Sequence, residues 1–304
     1  MKNLFTTGAS LSRRTFLASS GIISAAIAGR STVSHSAAEQ ATADASMPKK
    51  YPIGLELYSV RGELGRDLPK TLKEVAKNGY EVVEFYSPYF KWTAPYAKEV
   101  RAQIDDLGLR CYSTHNGFES FTPGENMAHA IELNQILGVR YIVLASAPGR
   151  PAGVEGWKNL CERLTSAVEQ LKPHGLNAGY HNHQAEWAKL EGGQRIMEVI
   201  AANTPKEFAL QLDVGTCEEA GVDPVAWVKA NPGRIKMMHL KDWSKDKGYR
   251  VLFGEGMTPW KELLAAAESV GGVEYYLIEQ EGSRFPEFET AKRCLDNWKA
   301  LRKA

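Results

Sequence analysis

Four cysteines in 304 residues is a thin supply, and Cys111, Cys161, Cys217 and Cys294 are scattered with no CxxC pair among them. That excludes a zinc ribbon or a thioredoxin-type redox motif and predicts buried thiols rather than disulfides. No charge of one sign dominates. Lys and Arg number 37 against 36 Asp and Glu, for a formal charge of +1. Arginines such as Arg61 and Arg284 stand alone, so neither a phosphate pocket nor a polyanion-binding face is indicated. The loop after the first predicted strand, Leu57-Tyr58-Ser59-Val60-Arg61, has none of the glycines of a dinucleotide fold. The apolar run from Leu17 to Gly29 falls short of the roughly 20 residues a membrane span needs.

That short run has another meaning. Ser12-Arg13-Arg14-Thr15-Phe16-Leu17 precedes it, and small residues follow at Ser34-His35-Ser36-Ala37 and Ala41-Thr42-Ala43. This is the layout of a twin-arginine export signal. Residues 1–36 are expected to be a signal peptide, 37–50 a flexible leader, and 51–304 the catalytic domain of a periplasmic protein with no stable membrane anchor. Lys2, Arg13, Arg14 and Arg30 are the charges of the first 36 residues, so removing four positives from +1 leaves about −3 for the mature chain. A hydrophobic fraction of 43% suits one large α/β domain. A homo-oligomer is compatible with such a chain.

From Tyr51 onward short apolar runs alternate with stretches of helical period. Strands are expected at 53–59, 82–85, 110–114, 141–145, 177–181, 208–213, 235–239 and 275–279. Helices are expected at 68–78, 96–107, 126–137, 157–172, 194–202, 224–230, 260–270 and 288–302. Gly79, Gly108, Gly138, Gly175 and Gly271 are placed to close helices. Eight strand–helix units in about 250 residues predict a single (β/α)8 TIM barrel, with chemistry at the C-terminal ends of the strands.

Four consecutive late strands end in chemistry-bearing residues: Tyr-His-Asn-His (180–183), Leu-Asp-Val-Gly-Thr (212–216), Met-His-Leu-Lys-Asp (238–242) and Ile-Glu-Gln-Glu (278–281). Singly, Asp213 could cap a turn, His239 could be a core histidine and Glu279 a surface acid. Jointly, His, Asp, His and Glu on one rim predict a site for Mn²⁺, Co²⁺, Fe²⁺ or Zn²⁺. Period-two alternation puts His181 and His183 on one strand face, one as ligand and the other as its neighbour.

Together with Gly-Tyr-Glu-Val-Val-Glu (79–84), His-Leu-Lys-Asp (239–242), Gly-Glu-Gly-Met-Thr-Pro-Trp (254–260) and Ile-Glu-Gln-Glu-Gly (278–282), these motifs resemble the sugar phosphate isomerase/epimerase family of xylose isomerase-like barrels. The resemblance implies metal ligands at His181, Asp213, His239 and Glu279. Mn²⁺ is the first choice, and Co²⁺, Zn²⁺, Fe²⁺ or Mg²⁺ are alternatives. It departs at His181, where the family's sugar epimerases carry one of two proton-shuttling glutamates. The Tyr-His-Asn-His strand is similar to subfamily members acting on 3-keto-glycosides, which eliminate the aglycone.

The expected activity is isomerisation or epimerisation of an unphosphorylated sugar or keto-sugar through an enediolate, with metal as Lewis acid and a positioned base. A lyase that expels an aglycone is the main alternative, and a non-catalytic sugar-binding barrel a remote one. A nuclease is disfavoured, because Thr216 stands where a further histidine would be expected. Candidate bases are His183, Glu186, Glu84 and Glu279, with Lys241 as an oxyanion partner. Glu56, Glu84 and His115 are expected at the mouth. Aromatic residues there, Tyr58, Tyr86, Tyr89, Trp92, Trp187, Trp243 and Phe253, offer faces for a carbohydrate; of these Tyr86, Trp187 and Trp243, with Glu56 and His115, are the expected substrate contacts. If the N-terminal reading holds, changing Arg13 and Arg14 together to Lys strands the full-length chain in the cytoplasm. Fractionation checks this, and unimpaired export of the double variant rejects it.

Overall fold

The computed structural model describes residues 51–303; the expected signal peptide (1–36) and leader (37–50) lie outside them. Eight parallel strands run in sequence order: β1 (Ile53–Glu56), β2 (Val82–Phe85), β3 (Arg110–Asn116), β4 (Tyr141–Leu144), β5 (Asn177–His181), β6 (Ala209–Asp213), β7 (Met237–Leu240) and β8 (Tyr275–Ile278). β8 pairs with β1, so the sheet closes as the expected barrel. Each strand is followed by a helix of the outer layer: α1 (Leu68–Asn78), α2 (Ala94–Asp106), α3 (Glu125–Leu137), α4 (Gly153–Leu171), α5 (Ile196–Ala202), α6 (Pro224–Ala230), α7 (Trp260–Ala266) and α8 (Glu287–Leu301). None of the described helices is long and apolar enough to cross a membrane. All four cysteines are buried free thiols.

Local chemistry sets the boundaries. α1 starts where Asp67 accepts the Lys70 N–H and stops at Gly79, whose φ of 98° only glycine takes easily. β1 ends earlier than expected, because the Glu56 carboxylate accepts the Tyr58 N–H and curls Leu57–Val60 into a 3-10 turn. β5 stops at His181, so His183 lies beyond the strand and does not share its face as expected. The last turn after α7 widens over Ala267–Gly271, so Gly272 rather than Gly271 takes the left-handed conformation, at φ 82°.

Alternation along the strands divides the barrel interior by height. Near its base lie Val82, Tyr141, Val143, Ala209, Met237, Tyr275 and Leu277, a cluster separate from the larger core between sheet and helices. One pleat higher on the same strands stand Glu84, Gln211, His239 and Glu279, so an apolar plug carries an ionisable ceiling. A bulge between β2 and β3, where Val83 pairs with Cys111 but Phe85 with Thr114, shifts the register beneath His115. Gly54 lets β1 come close to its neighbours. A Cβ there would meet Leu277 Cδ2 and the Val82 carbonyl at 2.7 Å. Gly54→Ala is therefore expected to lower stability by about 1–3 kcal/mol. A urea melt with an unshifted midpoint would contradict that packing.

Candidate metal centre

His181 ends β5, Asp213 ends β6, His239 lies in β7, and Glu279 follows β8 directly. Their side chains are buried, and one ligand atom from each lies within 4.8 Å of all the others. His239 Nδ1 is 2.8 Å from Glu279 Oε2, and its Nε2 is 2.8 Å from Glu84 Oε1. Asp213 Oδ1 accepts the Thr216 N–H. Asp213 Oδ2 is buried without a hydrogen-bond partner, 4.0 Å from His181 Nε2 and 3.6 Å from Lys241 Nζ. A buried acceptor left in this state costs about 1–3 kcal/mol. A divalent ion among two imidazoles and two carboxylates would complete it, and this donor set fits one.

The charges point the same way. Burial pushes Asp213 up to about 6, against the pull of Lys241. Burial and the neighbouring His115 and His239 rings hold His181 well below the ordinary histidine range, so it presents a lone pair. Burial opposes the charge on Glu279, but Lys241 and His239 hold its carboxyl well below the usual value. Burial likewise disfavours charge on His239, yet Glu84 and Glu279 raise its pKa well above normal. Both of its nitrogens face carboxylate oxygens, so both donate and the ring is an imidazolium.

Glu84 is the support beneath. It accepts from Ser113 Oγ, from Gln211 Nε2 at 2.9 Å and from His239. His115 Nε2 lies 2.7 Å from Gln211 Oε1 and 3.2 Å from Glu84 Oε1. Both partners are acceptors, so Nε2 carries the proton and the neutral ring keeps its lone pair on Nδ1. Burial keeps His115 below its ordinary pKa. Its ring lies 4.6 Å from that of His181 and 5.2 Å from that of His239. Glu56 is fully buried, with Oε1 unpartnered. Burial, Glu279 and Glu84 push its carboxyl well above the usual range.

The remaining expected residues divide. Lys241 reaches the cluster, pairing with Glu281 and lying 3.9 Å from Glu279. His183 is exposed at the mouth, its ring 4.8 Å from that of His181. Glu186 is taken up in the turn, accepting from the Tyr180 hydroxyl at 3.0 Å and the His183 N–H at 2.9 Å. This geometry leaves it little freedom as a base. Tyr86 is half-buried and meets Tyr58 edge-on at 5.2 Å. Trp187 is a correction. It is 1% exposed with its ring against Trp227, because the turn at 184–187 directs it into the helix layer, where it has no free face for substrate. Tyr89 and Phe253 are likewise core residues. Trp243 lines an outer groove with Glu218 and Met257. Trp260 fixes its loop by donating from Nε1 to Asp242, and Glu255 pairs with Arg284.

Sequence reading missed Gln211, Asn182 and Asp242. Gln211 lies two residues before Asp213 on one strand, so alternation alone could have placed it on the inner face. Asn182 clamps Asp213 by accepting its N–H at 3.1 Å and donating to its carbonyl at 3.2 Å. Asp242 gathers the N–H groups of Gly254 and Gly256. Those two partners are 12 and 14 residues downstream, and no local pattern announces such closures.

The chain belongs to the xylose isomerase-like TIM barrel family, whose pattern matches residues 72–301. It is similar to a crystal structure of a sugar phosphate isomerase/epimerase from Parabacteroides distasonis, 28% identical with a TM-score of 0.70, covering 84% of this chain and 96% of that one. It also resembles inosose dehydratase from Mesomycoplasma hyopneumoniae, 24% identical over 207 residues, 61% of this chain; it spans 66% of that relative's length. A more distant fold match is the IOLI protein solved with a zinc atom, 16% identical with a TM-score of 0.60, covering 81% of this chain and 97% of that one.

Because a ligand must lose its proton, metal binding competes with protons on His239 and, near pH 6, on Asp213. Mn²⁺ affinity is expected to rise about tenfold per pH unit while one proton is displaced, and to fall more steeply below about 6, where Asp213 is also protonated. Calorimetry in buffers of different ionisation heat reads the protons released. A pH-independent affinity, or stoichiometric metal retained in Asp213→Ala, would remove these residues from the site.

Proposed function

We propose that this protein is a divalent-metal-dependent enzyme that removes the proton next to the carbonyl of an unphosphorylated sugar or keto-sugar, works through an enediolate, and returns the proton as an isomerase or epimerase does. The observation that carries this reading is the unpartnered, fully buried Asp213 oxygen among two imidazoles and a second carboxylate at a barrel mouth. His181, Asp213, His239 and Glu279 would hold the ion, with Mn²⁺ the first choice and Co²⁺, Zn²⁺, Fe²⁺ or Mg²⁺ alternatives. When bound, a divalent ion supplies Lewis acidity that lowers the cost of negative charge on a substrate oxygen.

The chain's own groups do the rest. The Lys241 ammonium, whose pKa the surrounding carboxylates raise against the effect of burial, stands beside the position where that charge would develop. His183 is exposed beside His181 and takes the proton from carbon; Glu186 steadies it by accepting its backbone N–H. Glu84 keeps His239 oriented from below. Among the described residues, Lys241 is the one Lys or Arg paired with the carboxylates Asp213 and Glu279, which supports an unphosphorylated substrate. The twin-arginine segment supports work in the periplasm.

Elimination is the second reading, favoured by a specific feature. With His181 on β5, Glu279 is the only glutamate among the four ligands, so the paired acids implied for two-base epimerisation are lacking. The electron pair left on carbon would then form a C=C bond while the bond to a leaving oxygen breaks, and protonated His183 would return its proton to that oxygen. The resemblance to an inosose dehydratase supports the same outcome.

Incubating the Mn²⁺-loaded protein with free ketoses and 3-keto-glucosides in deuterated water separates these cases. Deuterium at the α carbon without aglycone release is the expected signature of isomerisation, and release marks elimination. His183→Asn is expected to lower kcat by about 10²–10⁴ with metal content unchanged. Absence of both exchange and release in the loaded protein, for every sugar tried, would overturn the enzymatic reading.

A further inference from the structure

Lys241 is a buried ammonium that faces three carboxylates, and the three are not equivalent. Its Nζ lies 3.6 Å from Asp213 Oδ2 and 3.9 Å from Glu279 Oε2, and it donates to Glu281 Oε1. Asp213 and Glu279 are buried members of the ligand cluster. Glu281 is not one of the clustered ligands, and its side chain is 42% exposed against 4% for Lys241. The lysine arm is guided along its length. A Cβ on Gly215 would lie 3.1 Å from Lys241 Cγ and 3.1 Å from Tyr249 Cε1, so the bare glycine makes room for both. The ammonium sits 5.0 Å from the Tyr249 ring centroid, and the Tyr249 hydroxyl donates to Glu219 Oε2 at 2.6 Å.

Glu281 is anchored as well. Its carbonyl accepts from Arg61 Nη2 at 3.1 Å, and the Gln280 N–H before it donates to Ser59 Oγ at 3.0 Å. Gln280 Nε2 donates to the Tyr249 carbonyl, which ties the segment after β8 to the one that carries Tyr249. None of these bonds uses the Glu281 carboxylate, so it is left for the ammonium. A divalent ion would share Asp213 and Glu279 with Lys241, and two cations at such distances repel strongly. The ammonium then needs a counter-charge that the ion does not take, because a buried charge left unpaired is costly. Glu281 is such a group, and the ammonium already reaches it ahead of the other two.

We infer that Glu281 is the positioning residue of Lys241: it draws the ammonium toward the mouth and off Asp213 and Glu279, so that those two carboxylates are free for a divalent ion while the ammonium stays ready for a substrate oxygen. The inference rests on the metal reading of the centre and adds to it a residue that acts through another. Glu281 then influences metal affinity by way of Lys241 and not on its own.

The test is a double-mutant cycle read by Mn²⁺ affinity, so it does not depend on turnover. Mn²⁺ is titrated calorimetrically, at one pH and one salt concentration, into the full chain, Glu281→Gln, Lys241→Met and the double variant, with circular dichroism confirming the fold of each. Lys241→Gln is the second neutral background where Lys241→Met does not fold. Glu281→Gln is expected to weaken Mn²⁺ binding about fivefold, because the released ammonium falls back on Asp213 and Glu279. Lys241→Met is expected to bind at least as tightly as the unaltered chain, and in that background the Glu281 change is expected to alter Kd by less than about twofold. An equal loss in both backgrounds would assign Glu281 to shaping its loop, and no loss in the first would leave Lys241 positioned without it; either result overturns the inference. An unaltered chain that binds no Mn²⁺ rejects the metal reading and this inference together, whereas normal binding with either overturning pattern rejects this inference alone.

Discussion

The carboxylate of Glu84 holds the centre together. From β2 it accepts from Ser113 on β3, Gln211 on β6 and His239 on β7, with His115 beside it. The bonds to Gln211 and His239 cross the barrel rather than follow the sheet, so they fix the relative position of strands that do not pair with one another. Burial alone would drive Glu84 neutral; His115 and His239, with the Ser113 hydroxyl, prevail and keep its carboxyl below the usual range. An ionised, multiply bonded carboxylate can only accept. That single fact sets the proton on His115 Nε2 and on His239 Nε2; His115 keeps its lone pair on Nδ1, and His239 Nδ1, which donates to Glu279, is the nitrogen that would have to lose its proton to a metal.

The same barrel gathers more negative charge than its own cations balance. Glu56, Glu84, Asp213 and Glu279 are all buried, and against them stand Lys241 and the His239 imidazolium. Isolated charges in such surroundings are costly enough that groups neutralise instead, and Glu56 and Asp213 are the ones pushed toward the neutral form. A divalent ion at the His239 and Asp213 end would replace the protons that now relieve the repulsion. Proton and metal are therefore alternative counter-charges for one site, while burial, Glu279 and Glu84 hold the Glu56 carboxyl well above the usual range.

Much of this was legible in the sequence, for a definite reason. Strand and helix periods are local, and so are the caps at Asp67 and Gly79; the eight units and the barrel follow from them. The four rim residues could be picked out because each lies at or next to the C-terminal end of a strand, and strand ends meet in a closed parallel barrel. Other features depend on contacts distant in sequence. Nothing near Trp187 shows that Trp227 will cover it, and the loop closed by Asp242 uses partners a dozen residues away. His183 was misplaced for a smaller cause. Period-two alternation was extended past the strand end at His181, expected and observed alike, and Asn182, which would have faced outward, instead turns in to clamp Asp213.

That clamp bears on the chemistry. In Tyr-His-Asn-His, the tyrosine hydroxyl bonds Glu186, His181 enters the candidate metal centre, Asn182 fixes Asp213, and His183 is left at the opening. A neutral imidazole at His181 adds no negative charge to a barrel already rich in carboxylates, whereas a glutamate there would add one more. A histidine there thus eases the electrostatic load, and in the proposed mechanism proton transfer falls to the exposed His183, nearer solvent. A base in that position can return its proton to a departing oxygen as readily as to carbon. Elimination then requires no group beyond those needed for isomerisation; it requires only a substrate that carries something to expel.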